Sequence, residues 1–273
     1  MKTLENHIIL YDADCAMCRT FTKAFIKTGM LDESGRQSYQ HVSYESCPLV
    51  DRQRAVNEIA LVNNITGEVS YGITSLFKVI GNSLPVFKPF FSCKPFSWLM
   101  SKLYAFISYN RKVIMPARVT DTNVIQPTFR LDYRISYLIF TWLVTSFILT
   151  GYTKLLDPLV PVGSSYREFL ICGGQVIFQG IIIHKLMKGR CWNYLGNMMT
   201  ISLAGALLLL PALLIIKHYH LSPTIAGLYF MATAGLMLLE HIRRMKILGI
   251  SLWLTLSWIA YRLLILFFIV KLS

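Results

Sequence analysis

Apolar and polar positions follow two different plans along this chain. In its early part the apolar runs are short and punctuated by turn signals. Residues 7–11, HIILY, form a short run rich in β-branched side chains and closed by acids, the pattern of a buried strand. Phe21, Phe25 and Ile26 then recur at helical spacing as far as Gly29, a helix stop, and Asp14 stands where the N-cap belongs. Residues 37–44, QSYQHVSY, read as a second strand, and residues 48–57 as a short helix opened by Pro48. EIALVNNITGEVSYG reads as a hairpin turning within NNITGE, and ITSLFKVIG as a closing helix. The order β-α-β-α-β-β-α is that of a thioredoxin core, so the predicted fold class opens with an α/β thioredoxin-like domain.

Residues 84–118 interrupt aromatics with prolines and bases. They predict a helical arm whose Phe87, Phe90, Phe91, Phe96 and Trp98 lie against a membrane interface, or alternatively a helix pair covering the sheet. Beyond them the pattern changes to long apolar runs. Five segments reach spanning length, roughly 135–155, 168–188, 195–216, 222–240 and 248–270. Pro211 predicts a kink in the third. The predicted division is therefore a thioredoxin-like domain with its arm over 1–118 and an all-α transmembrane bundle of about five helices over 119–273.

Composition agrees with that division. Hydrophobic residues make up 54% of the chain and mean hydropathy is +0.50, too apolar for a soluble protein, while nine of the fourteen acids fall in the first 118 residues. The net charge of +13 does not point to nucleic acid, because Lys and Arg cluster at the ends of apolar segments. Arg118, Arg130, Arg134, Lys185, Lys188, Arg190, Arg243, Arg244 and Lys246 flank one side of the five segments; Lys154, Arg167, Lys217 and Lys271 flank the other. The positive-inside rule then puts the N-terminal domain in the cytoplasm and the C-terminus outside, in a multi-pass protein of a bacterial inner membrane. The start of the chain lacks the apolar core of a signal peptide, which agrees with a cytoplasmic first domain.

The candidate chemistry lies in YDADCAMC. Cys15 and Cys18 are three residues apart, so on a helix they share a face and can close a disulfide. At a helix N-terminus the free N–H groups and the dipole favour the Cys15 thiolate, which makes Cys15 the attacking thiol and Cys18 the resolving one. The carboxylates of Asp12 and Asp14 oppose that thiolate, and a carboxylate near Cys18 could take its proton. Alternatively Asp14 is only a cap, Asp12 only a turn residue and the pair inert. A metal site needs about four ligands, and the nearest further candidates, His41 and Cys47, stand in no recognised spacing, so no metal is expected. Cys47 and Cys93 read as small buried residues, Cys172 as helix packing, and Cys191 as a loop thiol with a relay role as its alternative.

These residues carry a resemblance. YDADCAMC resembles the D-x-D-C-x-x-C signature of the DCC family of thiol-disulfide oxidoreductase-like proteins, and TGEVSYGITSL and LYAFISYNRK resemble its later blocks, covering about residues 5–115. The resemblance implies a thioredoxin-like fold and a redox role for Asp12, Asp14, Cys15 and Cys18. Ala13 replaces the usual glycine between the acids, Ala16 and Met17 separate the cysteines without proline or glycine, and RQRAVNEIA lacks the proline that thioredoxins place before the third strand. FILTGYTKLLDP is similar, over a dozen residues, to the first-helix pattern of DoxX-like membrane proteins.

In the apolar part, Gln175 and Gln179 share a helix face and Arg262 sits well inside a span. Glutamines in lipid bond neighbouring helices, whereas a deep arginine is costly unless it pairs, reaches water or binds something anionic, for which a lipid headgroup or a quinone-like carbonyl would serve. His218, Tyr219 and His220 read as interfacial anchors. The expected function is that of a membrane-anchored thiol-disulfide oxidoreductase acting on an unidentified redox partner protein. The alternatives are a non-catalytic membrane protein with a thioredoxin-like binding module, or electron transfer to a quinone-like acceptor. Dithiol exchange requires no cofactor; membrane lipid is an expected partner and nucleic acid is not.

Overall fold

The structure, a computed structural model, describes residues 2–42, 49–117, 125–219 and 222–271. The chain forms two compact units, Met1–Tyr133 and Arg134–Ser273.

The first unit contains a mixed four-stranded sheet. Its elements are β1 (His7–Tyr11), α1 (Ala16–Lys27), β2 (Arg36–Ser38), α2 (Arg52–Asn57), β3 (Ala60–Asn63), β4 (Val69–Tyr71), α3 (Ile73–Ser83), α4 (Lys88–Ser92) and α5 (Lys94–Ile114). The sheet order is β2-β1-β3-β4, with β1 parallel to β2 and antiparallel to β3, and β3 and β4 joined as a hairpin. The unbroken apolar run of β1 has a simple cause: both faces of the sheet are covered. Ile9 packs on one face with Leu31, Ile59, Leu61 and Val79, while Leu10 packs on the other with Ala55, Ala60 and Val62. The hairpin turns where NNITGE places it, with the Asn63 carboxamide accepting from the N–H groups of Ile65 and Thr66 and Gly67 at φ 71°.

Three local expectations are corrected. Cys15, not Asp14, caps α1, because its backbone is extended (φ −90°, ψ 106°) and its sulfur accepts from the Cys18 N–H. The second strand pairs only over Arg36–Ser38 and gives way to a 3-10 turn at Tyr39–His41, since the Ser38 side chain caps that turn. Asp51 opens the following helix through an acceptor bond to Arg54 N; Pro48 lies outside the described residues. The segment after residue 84 does cover the sheet with one face. Tyr104 of α5 packs into the Ile9 core, and Ser108 Oγ donates to Asn57 O at 2.5 Å.

The second unit is helical: α6 (Leu131–Thr153), α7 (Arg167–Met187), α8 (Cys191–Tyr219), α9 (Pro223–Leu248) and α10 (Trp253–Lys271). By length and composition four stretches can cross a membrane: Leu131–Leu156, Arg167–Ile215, Pro223–Leu248 and Trp253–Lys271. The second of these runs through a 3-10 turn at Lys188–Arg190. Pro211 lies inside α8 without ending it. Large apolar side chains are exposed on every helix, among them Phe147, Leu170, Leu208, Met231 and Leu264, as lipid-facing helices require.

Candidate functional site

β1 ends at Tyr11, and the chain turns through Asp12–Asp14 into α1. The Asp12 carbonyl accepts from Cys15 N at 3.2 Å, and Asp12 Oδ1 accepts from Asp14 N at 3.0 Å, a local turn that any Asp at this place favours. The parallel register Tyr11↔Ser38 brings Gln40 alongside. Its Nε2 donates to Asp12 Oδ1 at 2.9 Å and its Oε1 accepts from Ala13 N at 3.1 Å, so one side chain clamps the motif to the next strand.

Asp12 Oδ2 takes its strongest partner from the far end of the unit. Arg111 of α5 donates to it through Nη2 at 2.8 Å, and both side chains are 4% exposed. The same guanidinium donates to Val56 O at 2.6 Å and to Asn57 O at 3.4 Å, carbonyls of the last turn of α2. A cation there satisfies acceptors that the helix leaves open and meets the negative end of its dipole. Arg111 Nε is buried without a hydrogen-bond partner.

The thiols lie within this frame, and both are free and buried, Cys15 at 6% and Cys18 at 3% exposure. Cys15 Sγ accepts from Cys18 N at 3.2 Å. The hydrogen bond from the Cys18 thiol pulls the Cys15 pKa down to about 7; burial opposes this, while the Cys18 N–H and the Arg111 charge assist and the Asp12 charge resists. Cys18 moves the opposite way, pushed far up by the hydrogen bond it gives and by burial. Between the two acids, Asp12 supplies the opposing charge at Cys15, whereas half-buried Asp14 donates its backbone N–H to Asp12. The arrangement is a dithiol in which Cys15 is the more readily ionised member and Cys18 is held protonated.

Cys15, Cys18, Asp12 and Asp14 are thus together, and sequence reasoning missed Arg111 and Gln40. A signal for Arg111 existed in LYAFISYNRK, the block whose last turn carries it; Gln40 had none beyond its place after a strand. Among the described residues no three His, Cys, Asp or Glu side chains gather to hold a metal; His41 is exposed and Cys47 lies outside those residues. Cys93 is exposed, contrary to a buried reading, because it falls at the corner between α4 and α5.

In the second unit Gln175 and Gln179 are buried and bond neighbouring helices. Gln179 donates to Ser257 Oγ at 3.1 Å and accepts from Tyr194 OH at 2.8 Å, and Gln175 donates to Trp258 O at 3.4 Å. Arg262 is not brought to them; it is half-buried, and no hydrogen bond or ion pair reaches it among the described residues. The deep cations are instead Arg134 and Arg244, which the sequence placed among flanking charges. Arg134 donates to Trp192 O at 2.8 Å, and Arg244 donates to Glu240 Oε1 at 2.7 Å and Asn197 Oδ1 at 3.0 Å. Cys172 is buried in α7, Cys191 is half-buried at the start of α8, and His218 and Tyr219 are exposed at its end; His220 lies outside the described residues.

Comparison with protein-family models, with curated proteins and with solved structures finds no match to this chain.

Proposed function

We propose that the chain is a membrane-anchored thiol-disulfide oxidoreductase whose first unit is thioredoxin-like, with Cys15 attacking and Cys18 resolving. The observation that carries this reading is the placement of the two free thiols just past the carboxyl end of β1, where Cys15 caps α1 and its Sγ accepts from Cys18 N at 3.2 Å, an arrangement that favours ionisation of Cys15 over Cys18. The sheet order β2-β1-β3-β4, a parallel β-α-β followed by an antiparallel hairpin and helix, supports the fold. The DCC resemblance gains support from geometry, because two of its separate blocks meet in the Asp12–Arg111 pair.

The Cys15 thiolate attacks one sulfur of a partner disulfide; that S–S bond breaks, the other partner sulfur leaves as a thiolate and takes a proton from water, and a mixed disulfide forms. The Cys18 sulfur then attacks Cys15 Sγ and expels the second partner sulfur as a thiolate, which takes up the proton that Cys18 gives up. The partner gains two electrons and two protons, and Cys15 and Cys18 are left as a disulfide.

The second unit is read as the anchor, with five crossings rather than four. Gly180 O lies 3.9 Å from Cys191 Sγ although eleven residues separate them, so the chain reverses between α7 and α8 and divides the long apolar stretch into two spans. The basic flanks support an orientation with the first unit in the cytoplasm and the C-terminus outside.

The low exposure of Cys15 favours a second reading, a binding module that never exchanges disulfides. Trapping decides between them. Cys18→Ser accumulates a partner adduct that reductant removes, and Cys15→Ser accumulates none; equal trapping defeats the ordered mechanism, and no adduct with either variant favours the binding module.

A further inference from the structure

α5 has two faces of different character. Tyr104, Ser108 and Arg111 point into the first unit, whereas Trp98, Leu99 and Leu103 are 64%, 57% and 46% exposed. The positions 98, 99, 102 and 103 form one stripe along the helix, and Lys102 lies within it. The preceding turn and α4 continue the apolar surface through Val86, Phe87 and Phe90, each exposed. Beneath them Phe91 and Phe96 stack on Phe77 of α3 at 4.2 and 6.1 Å, and Phe90 meets Phe96 edge-on at 6.4 Å, so the exposed rings rest on a built aromatic floor.

Charge distinguishes what covers this surface. Residues 84–112 contain no Asp or Glu, and Lys88, Lys94 and Lys102 are exposed and make no ion pair among the described residues. An apolar strip holding tryptophan, edged by lysines and free of acids, matches an interface whose interior is hydrocarbon and whose surface is negative. We propose that the outward face of α4 and α5 docks on an anionic lipid surface, inserting Trp98, Leu99 and Leu103 to the depth of the headgroups while the three lysines meet lipid phosphates. The proposal rests on the membrane reading of the second unit and is independent of the thiol chemistry.

The test uses the full chain, reconstituted in vesicles of phosphatidylglycerol mixed with phosphatidylcholine, in phosphatidylcholine alone, and in detergent. Cys93 at the corner between the helices is a native probe, labelled by a water-soluble maleimide and located by mass spectrometry. The Trp98 contribution to emission is the difference from Trp98→Phe. In anionic vesicles Cys93 labelling slows about tenfold and Trp98 emission shifts to the blue; in phosphatidylcholine both stay near their detergent values. Each lysine near an anionic surface is worth about fivefold in partition, so Lys88→Gln with Lys94→Gln and Lys102→Gln together abolish the protection. An unchanged pH profile of Cys15 alkylation reports that this variant is folded. Labelling that is the same in all three media overturns the proposal, as does protection indifferent to lipid charge or to the lysines, which points to a second protein on this face. A chain that fails to float with vesicles overturns the membrane reading and this surface with it.

Discussion

Asp12 and Arg111 form an ion pair with almost no access to water, and such a pair costs more to make than to replace by apolar groups. Beside the two thiols its charges act on Cys15 in opposite senses, and more weakly than the Cys18 hydrogen bonds and burial. Arg111 assists the thiolate and Asp12 resists it. Alkylation of Cys15 should follow a titration centred near pH 7, falling off at more acid pH, with Cys18 silent up to pH 9; stopped-flow alkylation with peptide mapping checks it. Cys18→Ala removes the largest lowering influence, so the Cys15 midpoint should climb toward that of an ordinary thiol, about 8.5. Arg111→Leu should raise the midpoint too and cost about 3–5 kcal/mol of unfolding free energy, because it strands a buried carboxylate. The Cys15–Cys18 pair and Asp12 were legible because their meaning is local: a strand end, a turn, a helix start. Arg111 lay in a block that the sequence did single out, LYAFISYNRK, but its pairing with Asp12 was not legible, since ninety-nine positions separate the two.

The elements were legible wherever the apolar period and a turn signal agreed, as in HIILY, the helix ending at Gly29 and the NNITGE hairpin. They failed where a side chain redirected the backbone. Ser38 and Gln40 stop the second strand after three residues, a hydrogen-bonding choice that propensity does not encode. At α1, an aspartate in cap position lost to the cysteine after it, because Asp14 N is held by Asp12 Oδ1. A substitution separates capping from redox chemistry. Cys15→Ser keeps an oxygen acceptor for Cys18 N and should leave the first turn of α1 intact, whereas Cys15→Ala should cost about 1 kcal/mol, seen as faster amide exchange at Cys18 and Arg19. Residues 84–118 allowed two readings that α5 makes compatible, one helix face closing the sheet and the other left outward.

For the molecule as a whole, the change from short to long apolar runs showed a compact mixed unit followed by a helical one. Packing inside the helices was not legible, because spans that are apolar on all sides carry no periodic signal of which face turns inward. That is why Arg262 read as deep and Arg244 as flanking. In detergent, Arg244→Leu should lower the melting temperature by about 5 °C or more, having lost Glu240 and Asn197, while Arg262→Leu should change it by less than about 2 °C. If the proposed topology holds, a reporter fused at Gly189 should lie in the cytoplasm and one after Ser273 outside; a cytoplasmic C-terminus would defeat the proposal of five crossings. The Arg111 contact has a further consequence in time. A ribosome delivers the thiols first and their arginine last, so a nascent chain holds Cys15 and Cys18 for about a hundred residues of synthesis before α5 can dock. Through that interval Asp12 lacks its ion-pair partner and Cys15 lacks the Arg111 charge, so the site is complete only once α5 has been made and has docked.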